Sequence, residues 1–178
     1  MIAGGIAYYA GVIQARTARD GVDRQLAAAI QRDRVQARSI AVAISPELLQ
    51  LEVTHQSASA AINLLPTLPS RTPIQIVADL QDAKIGVPRI SDRLTNQLYM
   101  LGEPAGPTML QLLSVIHQYN WLIDRISEQI ERNPAYYNPA RHQQDLGGQL
   151  RTIGDLIPMA QRETVTLHDE ATAATRSG

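Results

Sequence analysis

The chain has 178 residues and no cysteine, which excludes disulfides, thiolate zinc sites and cysteine nucleophiles. Sixteen basic and 17 acidic residues leave a net charge of −1, so no overall field attracts nucleic acid, and we expect no nucleic-acid partner. Phenylalanine is absent, so the core must be mainly aliphatic, and the many Ala and Gln residues favour helix over sheet.

The first segment, Ile2–Ile13, carries no charge. As a helix it would span roughly 18 Å, against about 30 Å for a bilayer core, so it is too short to cross alone. It is the end of a membrane-spanning helix, a monotopic anchor, or a segment packed in a core or oligomer interface. Arg16, Arg19 and Arg24 follow it, and the positive-inside rule would place the remainder in the cytoplasm. We therefore divide the chain into an apolar segment, 1–13, and one helical domain, 14–178.

The long stretch from Gln14 to about Leu65 is predicted to be one helix or two helices end to end. Asp20-Gly21 predicts a hinge near its start. Ser45-Pro46-Glu47 is either the capped start of a second helix or a kink within one helix. Steps of three and four place the apolar residues on one face, which we expect later helices to cover. These residues are Val22, Leu26, Ile30, Ala37, Ile40, Ile44, Leu48, Leu51, Ala58 and Ile62.

The middle of the chain predicts short connectors. Three prolines make residues 65–73 a loop. Thr72-Pro73 predicts a helix to about Lys84, with a strand at 74–78 as the alternative. Ser91 is a candidate cap for a further short helix, 92–101, and residues 102–107 have the composition of a turn.

Two longer helices follow. Thr108 is predicted to cap the first, whose apolar stripe includes Tyr119 and which stops at Asn133-Pro134. Asn138-Pro139 begins the second, whose apolar residues from Leu146 onward keep the spacing of a coiled-coil seam, with a bend predicted near Pro158. The fold class is therefore all-α: long antiparallel helices in a bundle or helical hairpin assembly, with short helical connectors.

Glu52 and His55 are the only candidates for a metal site. Three residues apart on a helix, they match half of the Glu-x-x-His pattern of carboxylate-bridged di-iron bundles. The second copy and the two further glutamates are missing, so coincidence is the favoured interpretation. No nucleotide-binding, zinc-protease or serine-hydrolase motif is present in the sequence, and we expect neither enzymatic activity nor a cofactor.

Two features are candidates for interaction. Arg32, Arg34 and Arg38 form a basic helix face that suits phosphates, lipid headgroups or RNA, although a solvated face is favoured because no aromatic residues alternate with the arginines. Trp121 lies two residues after the core position Tyr119, and so on nearly the opposite side of its helix. There it marks a partner or membrane-interface site, or packs under the proline-rich loop.

The order of features resembles a loose group of uncharacterised bacterial proteins with one N-terminal membrane segment, a basic helix and an alanine-rich stretch. The matching pieces are residues 40–52, 88–92 and 100–104, followed by the helix from Met109 to Ile130. The resemblance implies a membrane-tethered helical domain and assigns no functional residues.

Together these observations predict a non-enzymatic, membrane-tethered interaction or scaffold module at the bacterial inner membrane, with its domain on the cytoplasmic side. We expect it to self-associate, or to bind a protein partner, through helix faces, with membrane contact through Ile2–Ile13. The alternatives are a ligand-sensing bundle with a closed polar pocket and, less favoured, a bundle metalloenzyme using Glu52 and His55. A cytoplasmic location is the alternative to the membrane.

Overall fold

A computed structural model describes the backbone of residues 3–67 and 71–176, and the side chains of residues 18–67, 71–167 and 169. Every regular element in these ranges is helical, which confirms the all-α prediction. The five α-helices are α1 (Ala3–Leu64), α2 (Pro73–Asp82), α3 (Arg89–Arg93), α4 (Ala105–Arg132) and α5 (Pro139–Arg176). Three short 3₁₀ segments, Leu65–Thr67, Thr95–Leu101 and Pro134–Tyr136, connect them.

Helix α1 is continuous over 62 residues and passes through both predicted interruptions. The hinge at Asp20-Gly21 and the new helix start at Ser45 were therefore wrong, and the alternative in which one helix continues through Pro46 holds. Proline removes the N–H that would bond the carbonyl of Val42. Pro46 and Val42 are both exposed, so water can satisfy that carbonyl and the helix tolerates the proline.

Helix α5 packs against both α1 and α4, and α2 packs on α4. Three contacts fix the antiparallel register of α5 on α1: Gln143 with Asn63, Leu150 with His55, and Gln161 with Leu48. On the other side, the 3₁₀ segment Thr95–Leu101 contacts both α1 and α4, and its Leu98 and Leu101 are buried. The core therefore lies between three long helices and this connector, and it includes Tyr119, as predicted.

Capping hydrogen bonds determine where the two short helices between α1 and α4 begin. Thr72 and Gln75 form a reciprocal capping box at the start of α2, so 74–78 is helix and the strand alternative is excluded. The predicted helix 92–101 is instead α3 followed by a 3₁₀ segment. The carboxylate of Glu47, in α1, accepts the backbone N–H groups of Ile90 (2.7 Å) and Ser91 (3.0 Å) at the first turn of α3. A side chain 43 residues away therefore caps α3.

Helix α4 begins at Ala105, three residues before the predicted cap, and Thr108 lies inside it with its hydroxyl donating to the carbonyl of Pro104. Gly106 explains the early start. A Cβ there would lie 2.7 Å from the carbonyl oxygen of Leu98, so only glycine lets the first turn of α4 pack this closely on the preceding segment. Helix α5 begins at Pro139 after the Asn138 cap, as predicted, and continues through Pro158.

Candidate functional site

Glu52 and His55 both make hydrogen bonds to α5 in the structure. The imidazole Nε2 of His55 lies 2.8 Å from the carbonyl oxygen of Leu150 and donates to it, while the exposed Glu52 carboxylate accepts from the side-chain amide of Gln161 (3.2 Å). A Cβ on Gly154 would lie 2.9 Å from the His55 ring, so the glycine provides the space that the ring fills. Both residues therefore join α1 to α5. In the ranges that the structure describes, no group of three or more His, Asp or Glu side chains converges as metal ligands would.

A groove of about 390 Å³ runs along the α1–α5 junction beside His55. Most of the residues that line it are of polar types, among them Ser59, Asn63, Gln143 and Arg151. The groove is open to solvent, whereas the ligand-sensing alternative requires a closed pocket with converging polar groups. The Ser59 hydroxyl lies 3.4 Å from His55 Nε2, but that nitrogen already donates to the Leu150 carbonyl. A neutral imidazole with its N–H there has no lone pair at Nε2 to act as a base towards Ser59.

Asp124, an acidic residue of α4, has structural partners at the end of α2. The Asp124 carboxylate pairs with Lys84 and accepts from Gln81, and the Lys84 contact lowers the pKa of Asp124. One turn earlier, the Asn120 side chain bonds both the N–H (3.1 Å) and the carbonyl (2.7 Å) of Ile85. The Tyr119 hydroxyl donates to the Ala83 carbonyl at 2.8 Å, and burial raises the pKa of this phenol. These contacts hold the end of α2 on α4.

The predicted interaction residues lie on two different surfaces. Arg32 and Arg34 are exposed and Arg38 is partly exposed, and all three lie near the middle of α1. Trp121 is 58% exposed on α4, and the guanidinium of Arg125 lies 5.2 Å from its ring centroid. The alternative position of Trp121, under the proline-rich loop, is therefore excluded. The structure does not bring Trp121 and the arginines together into one site.

The largest departure from the sequence prediction is the first half of α1. Every side chain from 18 to 35 is exposed, and we call residues 18–36 the projecting segment. Val22, Leu26 and Ile30 are 62%, 58% and 45% exposed, although they share a helix face with the buried Ala37 and Ile44. Their predicted burial was therefore wrong. In the register set by Gln161 and Leu48, the last residue of α5 lies level with about residue 33 of α1, so α5 ends before it can cover this face.

A second apolar surface, which was not predicted, lies on the opposite side of α1. Its large side chains are between 50% and 63% exposed. Between Ser39 and Leu64, a range that the structure describes in full, this side carries no charged residue. We call this surface the outer face of α1; its apolar residues are Val35, Val42, Pro46, Leu49, Val53, Ala60 and Leu64. A second set of positions at steps of four, three and seven was the signal that could have revealed it.

Among the histidine side chains that the structure describes, that of His142, in the first turn of α5, is the most deeply buried. It is 2% exposed, and neither ring nitrogen has a hydrogen-bond partner in the described part of the chain. Its ring lies 5.6 Å from that of Tyr136 and 5.9 Å from that of Tyr137. Desolvation lowers the pKa of His142, and the opposing influence of the Tyr136 backbone and Asp145 does not cancel it. The buried ring is therefore neutral at neutral pH.

Comparison with known proteins adds no assignment, since no family model, no curated protein and no solved structure matches the chain. The resemblance to bacterial proteins with an N-terminal membrane segment therefore stays a prediction. In the described part of the chain, none of the helices has both the length and the apolar character needed to cross a membrane. Ile2–Ile13, for which that prediction was made, lies outside the residues whose side chains the structure describes.

Proposed function

We propose that this protein is a non-enzymatic interaction module in which α1 is a stalk that holds a helical bundle at a distance from a membrane. The observation that carries the proposal is the projecting segment. It is a continuous helix with exposed side chains and belongs to the same helix as the apolar residues that precede it. From residue 13 to residue 37, where burial begins, an α-helix spans about 36 Å. A stalk of this length presents a binding surface away from the bundle.

The apolar stripe of the stalk supports interaction rather than a spacer role alone. Val22, Leu26 and Ile30 are spaced four residues apart and face one direction. A helix that only bridges water needs no such stripe, since polar side chains keep it soluble at lower cost. We therefore assign partner binding to the stalk, through the stripe and the exposed arginines Arg32 and Arg34.

The membrane part of the proposal rests on the sequence. Ile2–Ile13 is uncharged, and Arg16, Arg19 and Arg24 follow it in the order that places a domain on the cytoplasmic side of a bacterial inner membrane. The metalloenzyme alternative is not carried further, because Glu52 and His55 have structural partners. The open groove beside His55 gives the ligand-sensing alternative no specific support.

Membrane fractionation of the full-length chain tests the proposal, with two variants in parallel. One lacks residues 2–13, and the other replaces Arg16, Arg19 and Arg24 with Gln. We expect the full chain to pellet with membranes in high salt, the deletion to abolish pelleting, and the triple substitution to leave it intact. A full chain that stays in the supernatant contradicts the tether. Loss of pelleting in the triple variant alone means surface electrostatics rather than apolar anchoring.

A single added cysteine determines which side of the membrane the bundle occupies, since the natural chain has none. Ser57 is exposed on α1, so Ser57→Cys gives one reactive thiol without disturbing the core. A membrane-impermeant maleimide should label intact cells poorly and permeabilised cells fully. Equal labelling before and after permeabilisation contradicts the cytoplasmic orientation.

A further inference from the structure

The outer face of α1 is the one large apolar surface on the described part of the chain that neither the fold nor the proposed stalk uses. Val35, Val42, Leu49, Val53 and Leu64 are all at least half exposed on it. A helix that is apolar on both sides is ordinarily covered on both sides. The inner face of α1, which includes Ile44 and Leu48, is packed in the core. In the described part of the chain, no comparable layer of side chains packs on the outer face.

We propose that a second copy of this chain covers the outer face, with the two α1 helices packed antiparallel about a two-fold axis between Ser45 and Pro46. The inference deepens the proposed function and rests on it for the role of α1, since it names the partner of one α1 surface. In this register Val42 faces Leu49 of the second copy, and Leu49 faces Val42 in return. An isologous contact of this kind closes on itself as a dimer.

The spacing of the whole face supports this axis. Outer-face positions recur at steps of three and four from Ala28 to Leu64, and several of them have a counterpart at the same distance on the other side of the axis. Val35 faces Gln56, Gln31 faces Ala60, and Ala28 faces Asn63 of the second copy. The largest aliphatic side chains therefore meet near the axis, and smaller or polar ones meet near the ends.

Charge selects the antiparallel arrangement over the parallel one. Arg38 and Glu52 lie on the same flank of the outer face, at distances from the axis that differ by one residue, or about 1.5 Å along the helix. In an antiparallel pair like flanks meet, so each Arg38 lies opposite a Glu52 of the second copy, and symmetry makes two such pairs. A parallel pair would instead bring unlike flanks together, so Arg38 and Glu52 would not meet and these attractive pairs would be absent.

The size of the face sets the expected strength of the dimer. The paired length from Ala28 to Leu64 is about 54 Å. A strip this long and roughly 10 Å wide is about 500 Å² per copy, below the approximately 800 Å² per partner of a standard stable interface. We therefore expect a dissociation constant in the micromolar range, so the dimer is populated where the chain is concentrated, as at a membrane surface.

Sedimentation equilibrium of the full-length chain between about 1 and 200 μM, in mild detergent if it is membrane-bound, tests the dimer. Leu49→Gln is the disrupting variant and should weaken dimerisation at least tenfold, because it places an amide at the centre of the contact. Leu110→Gln, at an exposed position of α4 away from the outer face and the stalk, is the matched control and should leave the dissociation constant unchanged. Circular dichroism melting checks that both variants fold, as expected for exposed positions.

A charge swap tests the register. Arg38→Glu and Glu52→Arg should each weaken the dimer, and the double variant should recover most of the loss. A spin label on Ser57→Cys adds a distance, which should be roughly 3.5 nm in the antiparallel dimer and under about 2 nm in a parallel one.

Several outcomes overturn the inference: a monomer up to 200 μM, a dimer insensitive to Leu49→Gln, a swap that fails to restore, or a short spin-label distance. These results are distinguishable from failure of the proposed function. A monomeric chain that still pellets through residues 2–13 contradicts only the dimer. A soluble chain that dimerises through Leu49 contradicts only the tether.

Discussion

The two halves of α1 have the same apolar spacing but different environments. In the second half, Ile44 and Leu48 on the inner face are fully buried under α5 and the connectors. In the projecting segment, Leu26 and Ile30 continue the same face and are exposed. Periodicity therefore identifies residues that share a helix face, and the length and register of the neighbouring helix decide where that face becomes core.

Truncating one aliphatic side chain in each half gives the largest expected contrast. Ile44→Ala should lower the free energy of unfolding by about 2–5 kcal/mol, because it leaves a cavity in a packed core. Leu26→Ala should change it by less than about 0.5 kcal/mol in the monomer, because the side chain is exposed and alanine favours helix. Urea unfolding of both variants at low protein concentration is the measurement. Comparable losses at the two positions would mean that the projecting segment is covered in solution.

The same contrast separates the features of the fold that the sequence predicted from those that it did not. The all-α fold, the caps at Thr72 and Asn138 and the buried Tyr119 followed from spacing and local chemistry, which act over a few residues. The capping of α3 by Glu47 and the fit of His55 against Gly154 join residues 43 and 99 positions apart, and no local rule fixes such partners. No local rule fixes where α5 ends relative to α1 either. The exposure of Val22, Leu26 and Ile30, which follows from that end point, was therefore not predicted.

Glycine substitutions sharpen the comparison between close-packed and open helix surfaces. Gly106→Ala should destabilise the fold by about 1–3 kcal/mol, because its Cβ would meet the Leu98 backbone, which cannot move like a side chain tip. Gly148→Ala in α5 meets no atom within 4 Å and should stabilise by roughly 0.5–1 kcal/mol through helix propensity. Thermal unfolding compares the two. Stabilisation by both substitutions would show that the first turn of α4 leaves room for a methyl group beside the Leu98 backbone.

The Glu47 carboxylate, in the part of α1 that packs on the bundle, should contribute less to the free energy of unfolding through its cap on α3. Glu47→Gln keeps one acceptor oxygen but loses the negative charge at the first turn of α3, and should cost roughly 1 kcal/mol. Glu52→Gln, five residues later on the same helix, changes the same functional group at an exposed site and should cost less than about 0.5 kcal/mol. Chemical unfolding of both variants at pH 7 is the measurement. An equal cost for the two would remove the assigned role of Glu47.

The smallest expected effect on the free energy of unfolding appears only at acidic pH. It comes from His142, in the first turn of α5. Because burial lowers the pKa of His142 in the folded state, the unfolded chain, with a histidine pKa of about 6.5, takes up the proton first. The free energy of unfolding should therefore fall as the pH drops below about 6.5, until it passes the folded-state pKa. Full stability is present above that range.

His142→Leu isolates this contribution from that of the carboxylates. Leucine is apolar, fits a site of similar volume between Tyr136 and Tyr137, and has no proton to bind, so the loss of stability between pH 6.5 and 5 should become shallower. His117→Leu, at an exposed position whose ring lies 3.6 Å from Asp92, is the matched histidine control and should leave the steep profile in place. Parallel pH profiles for His142→Leu and the natural chain would mean that the buried ring is not the group that titrates. Acid destabilisation would then have to come from carboxylates such as Asp124, whose lowered pKa acts in the same direction at lower pH.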